Sequence, residues 1–200
     1  MLLGDFNYMS TLQNFGVPVG GSRAPMLSPK LKHKFRVRLI GFGPIATPLD
    51  ISGQVESVGR PKINHDTVTV HSYNSVAYLA GKHNWDTLEL VVRDDVSNAV
   101  SRIVGHQEQK QVNHFQQTSP LAGSNYKFTM IIETMDGGND GVLETWTVEG
   151  CWLDNTSYDS FDYKDTAAYL NITMTIRFDN ATQDGGLMPL VPELLTGVLI

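Results

Sequence analysis

Strict alternation of apolar and polar side chains constrains this chain more than any other feature. In "AAYLNITMTIRF", residues 167–178, one parity holds Leu170, Ile172, Met174, Ile176 and Phe178. The other holds Asn171, Thr173, Thr175 and Arg177. A period of two buries one set and wets the other, which marks a half-buried strand. In "KHKFRVRLI", His33, Phe35, Val37 and Leu39 oppose a basic row of Lys32, Lys34, Arg36 and Arg38. In "NYKFTMIIET", Tyr126, Phe128, Met130 and Ile132 oppose Lys127, Thr129 and Glu133. In "LETWTVEGCW", Trp146, Val148 and Trp152 share one face, with Thr145, Thr147, Glu149 and Cys151 on the other. "DISGQVESVG", "TVTVHSY" and "TLELVV" add three candidates, about seven strands in all. One wet face per strand is how antiparallel sheets are written.

A single helix interrupts the run. "DDVSNAVSRIVGHQEQKQVNHF" offers Asp94 or Asp95 as N-cap and a narrow stripe of Val96, Val100, Ile103 and Val104. "MDGGNDG", residues 135–141, reads as a hairpin loop. Strands, one helix, then strands predict a mainly β sandwich or barrel with one packed α-helix, α+β by content. Residues 1–31, broken by glycine and proline, read as an irregular arm. Residues 32–180 read as the β domain and 181–200 as a C-terminal extension. The start "MLLGDFNYMS" lacks the basic and apolar regions of a signal peptide. The C-terminal apolar segment is short and interrupted by Pro189 and Pro192, so it is not expected to span a bilayer.

The candidate chemistries fail one by one. The lone Cys151 sits mid-strand beside Glu149, which opposes thiolate formation, so it reads as inert. "GFGPIA", residues 41–46, matches a dinucleotide fingerprint, but Pro44 and Pro48 prevent the helix that fingerprint needs. The loop at 136–141 lacks the bidentate acid of a calcium site. The six histidines show no ligand spacing. No enzyme, metal or cofactor is expected. A net charge of −6 argues against non-specific nucleic-acid binding. The polar sheet faces and the apolar Leu194, Leu195 and Ile200 remain; a neighbouring subunit, or the chain's own domain, would cover those apolar residues.

Two stretches carry a resemblance. "NWDTLELVVRDDVSNAVSRIVGHQ", residues 84–107, is a tryptophan, an alternating strand, an acidic turn and the helix. "WTVEGCWLDNTSYDSFDYKDTAAYLNITMTIRFDNA" is a strand ending in Gly-x-Trp, a loop rich in aspartate and tyrosine, and a last strand closing on Arg-Phe-Asp. Together, across roughly residues 32–180, these resemble the tail tube proteins of contractile-tailed bacteriophages and, more distantly, the tubes of pyocins and type VI secretion. The resemblance implies a virion protein, assembled in the host cytoplasm, whose hexameric rings stack into the inner tail tube that conducts the genome. It implies sheath, tape-measure, baseplate and tail-terminator partners, and DNA that transits unbound. Thr145, Thr147, Glu149, Asn171, Thr173 and Thr175 become channel-lining candidates. Lys34, Arg36, Arg38, Gln54, Glu56, Arg60, Lys62, Leu194, Leu195 and Ile200 become subunit-interface candidates, with the basic row paired to a neighbour's acids. Residues 53–75 become a hairpin reaching the next ring, and Asp94, Asp95 and Glu108 become sheath-facing acids on the outer side. Alternatives are a secretion-system tube, or a monomeric sugar- or ligand-binding sandwich with an aromatic platform of Tyr158, Phe161 and Tyr163.

Overall fold

The computed structural model describes residues 29–44, 49–137, 141–164 and 167–184. Compactness separates residues up to His33 from the unit that begins at Lys34, and the latter holds every strand below. The described strands are β1 (Phe35–Ile40), β2 (Leu49–Asp50), β3 (Val55–Val58), β4 (Ile63–Ser72) and β5 (Ser75–Trp85). They continue as β6 (Leu88–Arg93), β7 (Phe128–Met135), β8 (Val142–Tyr158), β9 (Asn171–Arg177) and β10 (Asn180–Asp184). One helix, α1 (Ala99–Gln111), lies between β6 and β7. The main sheet is antiparallel in the order β2-β1-β7-β8-β9-β6-β3, with β10 also on β8.

β8 builds both halves of this sheet. Its first half pairs with β7 and β10; its second half pairs with β9. The change falls at Gly150, whose φ of 69° lies in the left-handed region. Phe128 faces Cys151 while Met130 faces Val148, so β8 carries one extra residue here, a β-bulge. A side chain at 150 would also meet the Asp179 carboxylate. Val37, Leu39, Met130, Ile132 and Val148 from one half, and Leu90, Val92, Ile172, Met174 and Ile176 from the other, join in a single core. Two half-sheets around one core make a mainly β sandwich with one packed helix.

The bulge corrects the face assignment of β8. Alternation carried through Gly150 would leave Cys151 on the polar face and Trp152 inside. The extra residue reverses this: Cys151 and Leu153 are buried, and Trp152 is half-buried. Upstream of the bulge the parity holds, with Val148 buried and Trp146 packed on the core.

The helix begins three or four residues later than the sequence suggested. Asp95 accepts hydrogen bonds from the Ser97 hydroxyl (2.5 Å) and the Ala99 amide (3.3 Å), folding 95–98 into a turn. Asn98, left-handed at φ 55°, is the N-cap residue. Val96 is therefore fully exposed and drops out of the stripe. Val100, Ile103 and Val104 remain, facing Leu39, Phe42, Val92 and Met174 across a void of only 20 Å³. Polar side chains complete the docking. Buried Gln107 accepts from the Gly43 amide (3.0 Å) and donates to the Tyr126 carbonyl (2.6 Å). Gln111 accepts from and donates to Leu153, at 2.8 and 2.9 Å, as a strand edge would. In "GFGPIA", Gly41–Pro44 form a turn with both glycines at positive φ, and a Cβ on Gly43 would lie 2.9 Å from Ile103. The turn reading of that motif therefore holds for its described residues.

Candidate functional site

The polar surfaces of the sandwich are the site candidates, and cross-strand register fixes their composition. On the first half-sheet Arg36 faces Glu133, Glu133 faces Thr145, and Thr145 faces Asp184. The next outward row runs Arg38, Ile131, Thr147 and Thr182. Asp50 faces Arg38 from the edge strand, and Glu149 faces Asn180. Paired residues point to the same side, so the basic row and Thr145, Thr147 and Glu149 share one surface. Asn171, Thr173 and Thr175 lie on the outer face of the other half-sheet, opposite Arg93, Val91 and Glu89. The six channel candidates therefore divide between two faces that cover the core from opposite sides.

The basic row finds its acid within the chain. Glu133 accepts from Arg36 Nε at 2.6 Å and from Arg38 Nη2. Its side chain is only 6% exposed, covered by the two guanidinium groups. The expected pairing with a neighbour's acids is thus already met internally for Arg36 and Arg38. Arg38 Nε is buried and finds no acceptor among the described residues. Asp50, near both arginines, is held below the usual carboxylate range, first by the Ser52 hydroxyl (2.6 Å) and then by their charge. Lys34 donates to the Asp136 carbonyl at 3.0 Å.

The other interface candidates are scattered. Gln54 borders the small void under α1. Glu56 accepts from the Asn171 amide at 2.8 Å. Arg60 reaches Thr134 and Glu144, each at 3.3 Å. Glu144 is nearly buried and also accepts from Trp146 Nε1 (2.6 Å) and Gln183 (2.8 Å), so this carboxylate anchors Trp146. Its parity with Trp146 and Val148 is the sequence signal that would have placed it inward. Lys62 is exposed, and Leu194, Leu195 and Ile200 lie outside the described residues.

Asp94 and Glu108 both bear on Tyr158, whose pKa is raised by burial first and then by Glu108. The Tyr158 hydroxyl lies 3.5 Å from Glu108. This forms an acidic patch on one side of the molecule, with Asp95 fully exposed beside Asp94. Phe161 and Tyr163 stand exposed.

The hairpin is the largest feature that sequence reasoning misplaced. It is β4–β5, residues 63–85, not 53–75, and it forms its own two-stranded sheet. Ten residues of strand reach about 30 Å. Val68, Val70 and Leu79 are exposed on one face, Val76 and Tyr78 on the other, and Tyr73 at the tip. A two-stranded ribbon alone is marginal in water, and exposed apolar residues on both faces mark a contact surface.

Cys151 is an unreactive core residue. Burial pushes its thiol up to about 12, and the thiol donates to the Val148 carbonyl at 3.3 Å. Raised from 9.0, this group favours the fold below pH 9, and that contribution is lost as pH rises towards 12. Iodoacetamide at pH 8 is expected to modify the native chain about a thousandfold more slowly than the unfolded chain. Comparable rates would contradict the burial.

No family model matches the chain, and no curated protein matches it by sequence. Solved structures do match. A chain of the anti-feeding prophage baseplate aligns at TM-score 0.64 and 16% identity, over 82% of this chain and 100% of that one. A chain of an extracellular contractile injection system, in the PVC sheath-tube complex, aligns at 0.57 and 16%, over 78% and 92%. The SPP1 tail tube aligns at 0.51 and 10%, over 86% and 87%. The chain has the tail-tube fold. At these identities the likeness concerns fold, and it extends over 87% to 100% of each of these chains.

Proposed function

We propose that this chain is the subunit of an inner tail tube, in which hexameric rings stack and the channel conducts a phage genome during ejection. One observation carries the reading: a tail-tube fold bearing a ribbon with exposed apolar residues on both faces, which a subunit of the next ring would cover. The acidic patch of Asp94, Asp95 and Glu108 then faces outward to a sheath, and tape-measure, baseplate and terminator proteins bound the tube. DNA transits without specific binding, and the role is structural, not enzymatic. The first matches among injection-system assemblies favour a second reading, a tube whose cargo is protein. Sedimentation velocity across a concentration series tests the common part. Species of about six subunits or longer polymers are expected; a monomer at every concentration contradicts both tubes and favours the binding module. The contents of native particles, DNA or protein, separate the two cargoes.

A further inference from the structure

We propose that the loop tip of Phe161, Asp162 and Tyr163 in one copy seats in the cleft beside Trp85 and Trp152 of the next, as a head-to-tail contact between subunits. The inference rests on the tube reading for the presence of a second copy, and it assigns no face to a channel or a sheath.

The cleft is open, about 400 Å³ in volume, and lies where the end of β5 meets the β8–β9 pair. Trp85, Trp152 and Phe178 give it aromatic walls, and Lys82 and Arg177 give it two cations. Neither cation is firmly engaged within the subunit. Lys82 forms no ion pair among the described residues, and Arg177 stands 4.0 Å from Asp154. The acid on the wall, Asp179, is already held by Lys127 at 2.5 Å. Trp85 Nε1 is buried without an acceptor among the described residues. Cations set among aromatic rings suit a carboxylate flanked by aromatic side chains.

The chain displays such a group. Phe161 and Tyr163 are almost fully exposed on either side of Asp162. Asp162 accepts from the Lys164 amide (2.9 Å), and Asp159 accepts from the Asn171 amide (2.9 Å), which ties the loop to β9. Loop and cleft sit at opposite ends of one strand pair: Trp152 faces Arg177 at the cleft, and Tyr158 faces Ile172 at the loop. The strand between them spans about 20 Å. A chain therefore cannot seat its own loop in its own cleft, whereas a second copy can. Two different patches that meet head to tail repeat from copy to copy, closing a ring or extending a filament.

The test reverses the charges and reads the concentration at which polymers first sediment, with thermal unfolding as the check on folding. Asp162→Lys, and separately Lys82→Glu with Arg177→Gln, are each expected to raise that concentration about tenfold or more at an unchanged melting temperature. Mixed one to one, the two variants are expected to return to within about threefold of wild type, because in alternation each loop meets a cleft of opposite charge. Wild-type association by either variant, or a mixture no better than its components, overturns the contact. Should the cleft variant fail to fold, Tyr163→Cys with Lys82→Cys decides. The native Cys151 is buried, so a short bis-maleimide should link the two new thiols between copies into a ladder on a denaturing gel. The absence of a ladder overturns the contact. Wild-type protein that stays monomeric overturns the tube reading itself, whereas wild-type tubes with indifferent variants overturn the contact alone.

Discussion

Val70→Glu with Leu79→Lys abolishes tube growth and leaves the subunit folded, with an unchanged melting temperature. Both side chains are about half exposed on one face of the β4–β5 ribbon, outside the core. They are diagonal neighbours, since Val68 faces Leu79 and Val70 faces Ala77, so opposite charges there leave the ribbon itself intact. Fully burying one such side chain is worth about 1.5–3 kcal/mol. Because each is already about half covered in the subunit, losing two removes about 1.5–3 kcal/mol from each contact, and burying the new charges costs more, so association weakens at least ten- to hundredfold. Sedimentation gives the association and thermal unfolding gives the fold. Tubes of normal length from this variant would show that the ribbon's apolar face is not a subunit contact.

Gln107→Ala costs the subunit about 3 kcal/mol and lowers the melting temperature by roughly 10 °C. The amide of Gln107 is fully buried and joins α1 to the 41–44 turn and to Tyr126. Alanine removes the partner of the buried Gly43 amide and of the part-buried Tyr126 carbonyl, and each buried orphan costs about 1–3 kcal/mol. Gln109→Ala is the control. Gln109 is exposed and, among the described residues, accepts from the His114 amide alone, so its loss should stay within about 0.5 kcal/mol. Equal effects at 107 and 109 would show that the buried amide does not hold the helix.

Period-two alternation made β1, β6, β7 and β9 legible, because each buries one face and wets the other. It failed where a second constraint acted. Gly150 inserts one residue into β8, and no count of apolar positions reveals a bulge before the partner strand is known. β5, "SVAYLAGKHNW", places Val76, Tyr78 and Ala80 on one face and Ala77 and Leu79 on the other. A ribbon that offers apolar residues on both faces has no period to read. β10, "NATQD", is short and polar and is held by register on β8, not by burial. The helix start was displaced because an aspartate suited to capping instead closed a turn on Ser97. Among site residues, the polar face of β8 was visible. Its division from the face of β9 was not, because that depends on which half of the sandwich each strand joins. Glu133 was invisible as a clamp for the same reason: Arg36 lies 97 positions away in sequence, and only the β1–β7 pairing brings them together.

Negative-stain electron microscopy of the purified chain at high concentration tests the tube most directly. Six-fold rings with a central hole, stacking into tubes of uniform diameter, are the predicted result. A field of small, solid, monomeric particles, unchanged when a pre-formed tube end is supplied as a seed, would contradict it.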